Sequence, residues 1–149
     1  VTSSPIEMQR YLSKISGPLL DRIDIHIEVT PVPFEKLSET RKAESSVEIR
    51  KRVTKARDIQ TKRFENYNHI HYNAQMSSKL IREYCDLDEV SLQLLKTAME
   101  RLNLSARAYD RILKVSRTIA DLENSENVHS HHIAEAIQYR SLDREGWLG

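Results

Sequence analysis

Apolar residues recur at alternating steps of four and three between residues 108 and 122: Ala108, Ile112, Val115, Ile119 and Leu122. That spacing marks one face of an α-helix laid on a core. Ser105 stands just before the run, where its hydroxyl can accept an otherwise unpaired backbone N–H and cap the helix. The same grammar predicts the neighbouring elements. Ser130 caps a last helix with Ile133, Ala134 and Ile137 inward, and Asp86, with Glu89 three residues on, caps a helix through Leu102. On the latter Val90, Leu94, Ala98 and Leu102 share a face. Ser77 or Ser78 caps a short helix over 79–84. Ser45-Ser46-Val47-Glu48 has the capping-box pattern and opens a long helix to about residue 65, with Ile49, Val53 and Ala56 as a thin apolar stripe.

Nearer the start, Ser4-Pro5-Ile6-Glu7 combines a cap, proline at the first helical position and an acid at the third. A short helix to about residue 16 follows, stopped by Gly17-Pro18, with a further turn over 19–22. Then the period changes. Ile23, Ile25, Ile27 and Val29 alternate with Asp24, His26 and Glu28, which predicts a β-strand with His26 on its polar face. No second strand signal follows, so this strand is an orphan whose backbone groups lack a designated partner. Residues 1 to about 40 are therefore expected to be irregular alone and 45–140 protected. Pro31-Val32-Pro33 ends the strand, residues 34–43 read as a polar connector with one helical turn, and 64–73 as a linker pinned by Tyr67 and Tyr72. The tail 143–149 is expected to fray, with Trp147 able to dock. The fold class is mainly α: a bundle of about four helices after residue 44, preceded by a short helix and one orphan strand.

Composition agrees and narrows the function. Of 149 residues 30% are charged, and only three are glycine and four proline, which suits helices. A net charge of +1 supplies no global basic field, so a nucleic-acid role must rest on a local face. The lone cysteine, Cys85, rules out an internal disulfide framework and suits a reducing cytoplasm. No apolar run approaches the ~20 residues of a membrane span. The first residue, Val1, fits a piece of a longer protein.

Three groups of side chains carry candidate chemistry. Arg107 falls in the first turn of the 105–122 helix, where the dipole disfavours a cation, unless an anion comes to meet it. A guanidinium fork beside free N–H groups is a phosphate receptor. The 45–65 helix carries Arg50, Lys51, Arg52, Lys55, Arg57, Lys62 and Arg63 against Glu44, Glu48, Asp58 and Glu65. Arg50, Lys51, Lys55 and Lys62 are its candidate nucleic-acid contacts, although such runs also serve as plain solvated surface. His69 and His71, and separately His129, His131 and His132, lack the further ligands a zinc site needs, and no metal is expected. The sequence holds no Gly-x-x-x-x-Gly-Lys-Ser/Thr loop and no apolar strand ending in paired acids. This chain alone is thus not expected to hydrolyse ATP.

The stretches Ser105-Ala106-Arg107-Ala108-Tyr109, Arg111-Ile112-Leu113-Lys114-Val115-Ser116-Arg117-Thr118-Ile119-Ala120-Asp121-Leu122 and His132-Ile133-Ala134-Glu135-Ala136-Ile137-Gln138-Tyr139-Arg140 resemble the C-terminal region of magnesium-chelatase-like AAA+ ATPases of the bacterial competence type. Ile15-Ser16-Gly17-Pro18-Leu19-Leu20-Asp21-Arg22-Ile23-Asp24 resembles the last motif of the ATPase core in that family. The resemblance implies that residues 1–40 end the core and 41–149 form the lid. It implies that Arg22 is an arginine finger acting in trans and Arg107 the sensor-2 arginine, with Ser105 beside it at the nucleotide. It further implies ATP and magnesium in the full-length protein, a cytoplasmic homo-oligomeric ring, expected to be a hexamer, and work on DNA in recombination and branch migration. The alternatives are a stand-alone helical DNA-binding module and a protein-interaction adaptor.

Overall fold

The computed structural model describes residues 4–38 and 42–140; the 143–149 tail with Trp147 lies outside them. Helices α1 (Pro5–Leu12), α2 (Gly17–Arg22) and α3 (Phe34–Leu37) come first. The bundle follows: α4 (Ser46–Arg63), a 3-10 turn (Asn73–Gln75), α5 (Ser78–Tyr84), α6 (Glu89–Arg101), α7 (Ala106–Glu123) and α8 (Ser130–Gln138). The mainly helical class holds, with five α-helices among the described residues after residue 44 rather than about four, because the short α5 packs on α7 as a member of the bundle.

Hydroxyl and carboxylate caps set most of the starts. Ser4 accepts the Glu7 N–H while the Glu7 carboxylate accepts the Ser4 N–H, a reciprocal box. Ser16, Ser45, Ser77 and Ser105 each accept the N–H three residues on. Two starts are displaced. Asp88, not Asp86, caps α6, accepting from the Ser91 N–H at 2.7 Å. The reason is tertiary: Leu87 forms an isolated parallel bridge with Val128, which keeps the chain extended one residue past Asp86. His129, not Ser130, is the N-cap residue of α8, and its N–H donates to His132 Nδ1 at 2.9 Å.

The core is built around α7. Ile112 and Ala108 are fully buried, together with Leu95 of α6, Ile133 of α8 and Phe64 at the end of α4. Yet the buried face of α7 runs through Leu113, Ser116, Arg117, Ala120 and Asp121, while Leu122 is exposed. The helix is packed by α2, α4, α5, α8 and the 3-10 turn at once, so its buried arc is wider than, and rotated from, the stripe that periodicity marks. Val115 and Ile119 are half-buried against the core, and with the exposed Leu122 they also line an open cavity of about 610 Å³ shared with Ile25, Ile27 and Tyr139. On α6 Leu94, Ala98 and Leu102 pack against the core as the stripe predicts, the most deeply buried positions are Ser91 and Leu95, and Val90 faces solvent. The α4 stripe is corrected similarly: Ile49 and Val53 are exposed, and contact begins only at Ala56 and Gln60, because the first half of α4 overhangs the body.

Residues 23–30 form no strand and no helix among the described residues, with a bend at Asp24. A ladder needs a partner, and here the neighbours are helix ends. The His26 N–H donates to the Tyr139 carbonyl at 2.6 Å, and His26 is buried rather than lying on a polar strand face. Ile27 and Val29 stay exposed.

Candidate functional site

At the start of α7 the Ser105 hydroxyl accepts the Ala108 N–H at 3.1 Å, which stops the chain in its cap geometry and leaves Arg107 in the first turn. Arg107 is exposed and, among the described residues, has no acidic partner. A free cation sits where the helix dipole prefers an anion. One turn further on, Arg111 forms an ion pair with Asp24. Asp24 lies two residues after Arg22, which ends α2; α2 itself packs on α7 through the buried Leu20. Arg22 is likewise exposed and without an acidic partner among the described residues. The fold thus seats the two arginines on one packed body and leaves both guanidinium groups open to solvent.

The second half of α7 holds an arginine of the opposite kind. Arg117 is 3% exposed; its Nε donates to Asp121 at 3.2 Å, and its terminal nitrogens donate to the carbonyls of Ser125 and Glu126 at 2.7 and 3.0 Å. Burial, partly offset by Asp121, pulls the Arg117 pKa down. Asp121 also receives two donors from Arg63, at 2.5 and 2.7 Å, and one from the Asn73 amide at 2.9 Å. The Gln60 side chain accepts the Asn73 N–H, joining α4 and the 3-10 turn to α7. Arg63 therefore faces inward, between the rings of Phe64 and Tyr84, and is not part of the outer basic surface. Sequence reasoning missed this network. Its one legible trace is the i, i+4 spacing of Arg117 and Asp121 on a helix whose neighbours are apolar.

The outer surface of α4 is what remains. Positions 47, 50, 51, 54 and 58 fall on one helical face, opposite Ala56, Gln60 and Arg63, and 55 and 62 flank it. Arg50, Lys51, Lys55 and Lys62 are all exposed there, and among the described residues only Lys51 of the four is paired, with Glu48 at 2.9 Å. Arg52 is engaged by Glu44 and Arg57 covers the Tyr72 ring. Tyr67 packs edge-on against Phe64, which pins the linker.

The fold also gathers Glu123, His131 and His132, whose candidate ligand atoms lie within 4.8 Å of one another. The hydrogen bonds favour a clamp over a metal centre. His132 Nδ1 accepts a backbone N–H, so its Nε2 carries the proton and donates to Glu123. A metal on Nε2 needs that nitrogen bare and a proton on Nδ1, which would displace the α8 cap. Hydrogen bonds from His131 and His132 hold the Glu123 carboxyl below its ordinary range. Cys85 is buried, with its Sγ 3.6 Å from the Leu113 carbonyl, and burial pushes its thiol up to about 12. No helix among the described residues is long and apolar enough to cross a membrane.

Comparison with known proteins covers both parts of the chain. Residues 43–140 match the family described as magnesium chelatase, subunit ChlI C-terminal, and residues 1–37 match that of magnesium chelatase, subunit ChlI. The chain is 43% identical over 143 residues to competence protein ComM of Haemophilus influenzae, covering 95% of this chain and 27% of that protein. It is 39% identical over 142 residues to the uncharacterized protein YifB of Escherichia coli, with 95% and 27% covered. An uncharacterized protein of Mycobacterium tuberculosis is 33% identical over 132 residues, with 89% and 26% covered. The chain thus spans about a quarter of the length of the curated relatives it matches.

Proposed function

The chain belongs to the magnesium chelatase ChlI family, as a fragment of a ComM- and YifB-like protein, and from that premise we propose that it is the lid of an AAA+ ATPase, residues 41–149, with the end of the ATPase core, residues 1–40. The observation that carries this reading is the pair Arg22 and Arg107: exposed, free of acidic partners among the described residues, and mounted on helices that pack together. Arg107, with the Ser105 cap beside it, is the sensor-2 arginine and meets the terminal phosphate of ATP. Arg22 is the arginine finger offered to the neighbouring subunit of a ring, where its fork stabilises charge that develops on the transferred phosphoryl group.

These residues fit the phosphate end of ATP and nothing else of it. The chain has no phosphate loop and no apolar strand ending in paired acids to hold magnesium, so ATP and its metal belong to a site completed by sequence outside it. Purified alone, it should show no ATP turnover above background.

The test is made in full-length rings. Arg22→Ala should leave nucleotide binding near normal and lower turnover strongly, since a finger acts on the transition state. Arg107→Ala should also weaken nucleotide binding. Mixing Arg22→Ala subunits with subunits defective in their own phosphate loop should restore activity at interfaces that pair an intact site with an intact finger. No recovery in rings shown to have exchanged subunits overturns the trans assignment.

Within the same reading, DNA is the substrate on which the ring works, and the exposed α4 face of Arg50, Lys51, Lys55 and Lys62 is its point of contact in this chain. A titration with duplex DNA at two salt concentrations tests it: affinity that falls steeply with salt and is lost in a Lys51→Glu/Lys55→Glu variant supports the assignment, and salt-independent or absent binding removes it.

A further inference from the structure

Arg140 follows α8 and is 1% exposed, one of the largest fully buried side chains of the chain. A guanidinium so placed must find acceptors, because its desolvation is otherwise uncompensated. Among the described residues its acceptors include two in a segment 117 and 120 residues earlier: one terminal nitrogen donates to the Ile23 carbonyl and the other to the Leu20 carbonyl at 3.2 Å. These carbonyls belong to the last turn and the cap of α2, where Leu20 also accepts the Ile23 N–H at 3.1 Å, and a cation at a helix C-terminus is favoured by the dipole. The buried His26 joins them, its Nε2 3.2 Å from the same Leu20 carbonyl and its backbone N–H on the Tyr139 carbonyl. Arg111 of α7 closes the other side through Asp24.

The positions held are 20, 23, 24 and 26, on both sides of Arg22, and the Arg22 side chain itself stands in solvent. Backbone fixed and side chain free is the arrangement of a group held ready for an external ligand. We infer that Arg140 is the positioning residue for Arg22, clamping the α2 turn to α7 and α8 so that Arg22 and Arg107 move as one body. The chemistry assigned to Arg22 rests on the function proposed above; the clamp does not. Because the grip is a two-carbonyl fork, lysine, a point donor, cannot replace it.

Amide exchange of the whole chain tests the clamp directly. In Arg140→Lys and Arg140→Gln the His26 amide and those of residues 20–24 should exchange at least ~10-fold faster, while the Ile112 and Ala120 amides stay within about twofold, as local opening requires. Unchanged exchange at His26, or an equal acceleration everywhere, overturns the clamp. If the glutamine variant does not fold, Asp24→Asn, which removes only the outer ion pair, should produce a smaller rise confined to the same residues, and no rise there counts against the inference.

In the full-length ATPase, Arg140→Lys should lower kcat about tenfold or more with KM within about twofold, and add little in an Arg22→Ala background, because residues acting as one unit are not additive. Turnover lost in Arg22→Ala but kept in Arg140→Lys overturns the positioning role. Turnover kept in Arg22→Ala overturns the finger, and the exchange result then decides the clamp alone.

Discussion

Arg107 and Arg117 lie on the same helix ten residues apart and do opposite things. Arg107 is exposed with no acidic partner among the described residues, whereas Arg117 is buried against Asp121 and two carbonyls of the loop that follows α7. Nothing in local propensity separates them; arginine suits a helix at either place. The difference is what surrounds each end. The face of the second half of α7 that carries Arg117 and Asp121 is enclosed by α4, the 3-10 turn and the 124–128 loop, so the polar groups on that face must be answered from within. The first turn borders solvent, so its arginine is left for something outside. Burial uses an arginine up as structure, and exposure at a helix start keeps one available for an anion.

The comparison is broken most severely at Asp121. Asp121→Ala leaves Arg63 and Arg117 enclosed without their shared carboxylate and should cost roughly 3–5 kcal/mol, read from urea unfolding. A loss below about 1 kcal/mol would mean that water reaches both guanidinium groups and that the two halves of α7 differ little.

Cys85 sharpens the same contrast through pH, since its thiol is pushed by burial from 9.0 to about 12. A folded-state pKa raised in this way stabilises the fold fully below pH 9 and is lost as pH climbs from 9 towards 12. The unfolding midpoint should therefore fall over that window in the native chain and fall less in Cys85→Ala. In the folded chain at neutral pH the thiol should resist alkylation.

Smaller effects belong to the exposed end. Ser105→Ala removes the acceptor for the Ala108 N–H and should cost about 1 kcal/mol of stability. Arg107→Ala should change stability by less than about 0.5 kcal/mol, or raise it, because a cation is removed from the positive end of the helix. A marked destabilisation by Arg107→Ala, measured by the same urea series, would make it a structural residue like Arg117.

Which parts of this were legible follows from how far each signal reaches along the chain. Caps and periodicity are local, and they located Ser4, Ser45 and Ser105 and the helices they open. Where a distant contact competed, the local reading slipped: the Leu87–Val128 bridge moved the start of α6, and contacts with helix ends took the place of the orphan strand that Ile23–Val29 alternation suggests. Arg22 and Arg107 could be singled out because each sits at a recognisable element boundary within a motif. The clamp role of Arg140 could not, because the carbonyls of Leu20 and Ile23 lie more than a hundred residues away and backbone carbonyls leave no mark in a sequence.

By itself the sequence determined the helical class, the cap of each principal helix within two residues, the family motifs and the absence of a phosphate loop. Those depend on side chains within one or two turns of each other, or on simple presence. Only the tertiary structure decided which cations are consumed and which stay free: Arg63, Arg117 and Arg140 turn inward, and Arg22, Arg50 and Arg107 remain exposed. The physical reason is that a charge is enclosed only where several chain segments converge to answer it, and convergence is a property of the packed molecule rather than of any stretch of its chain.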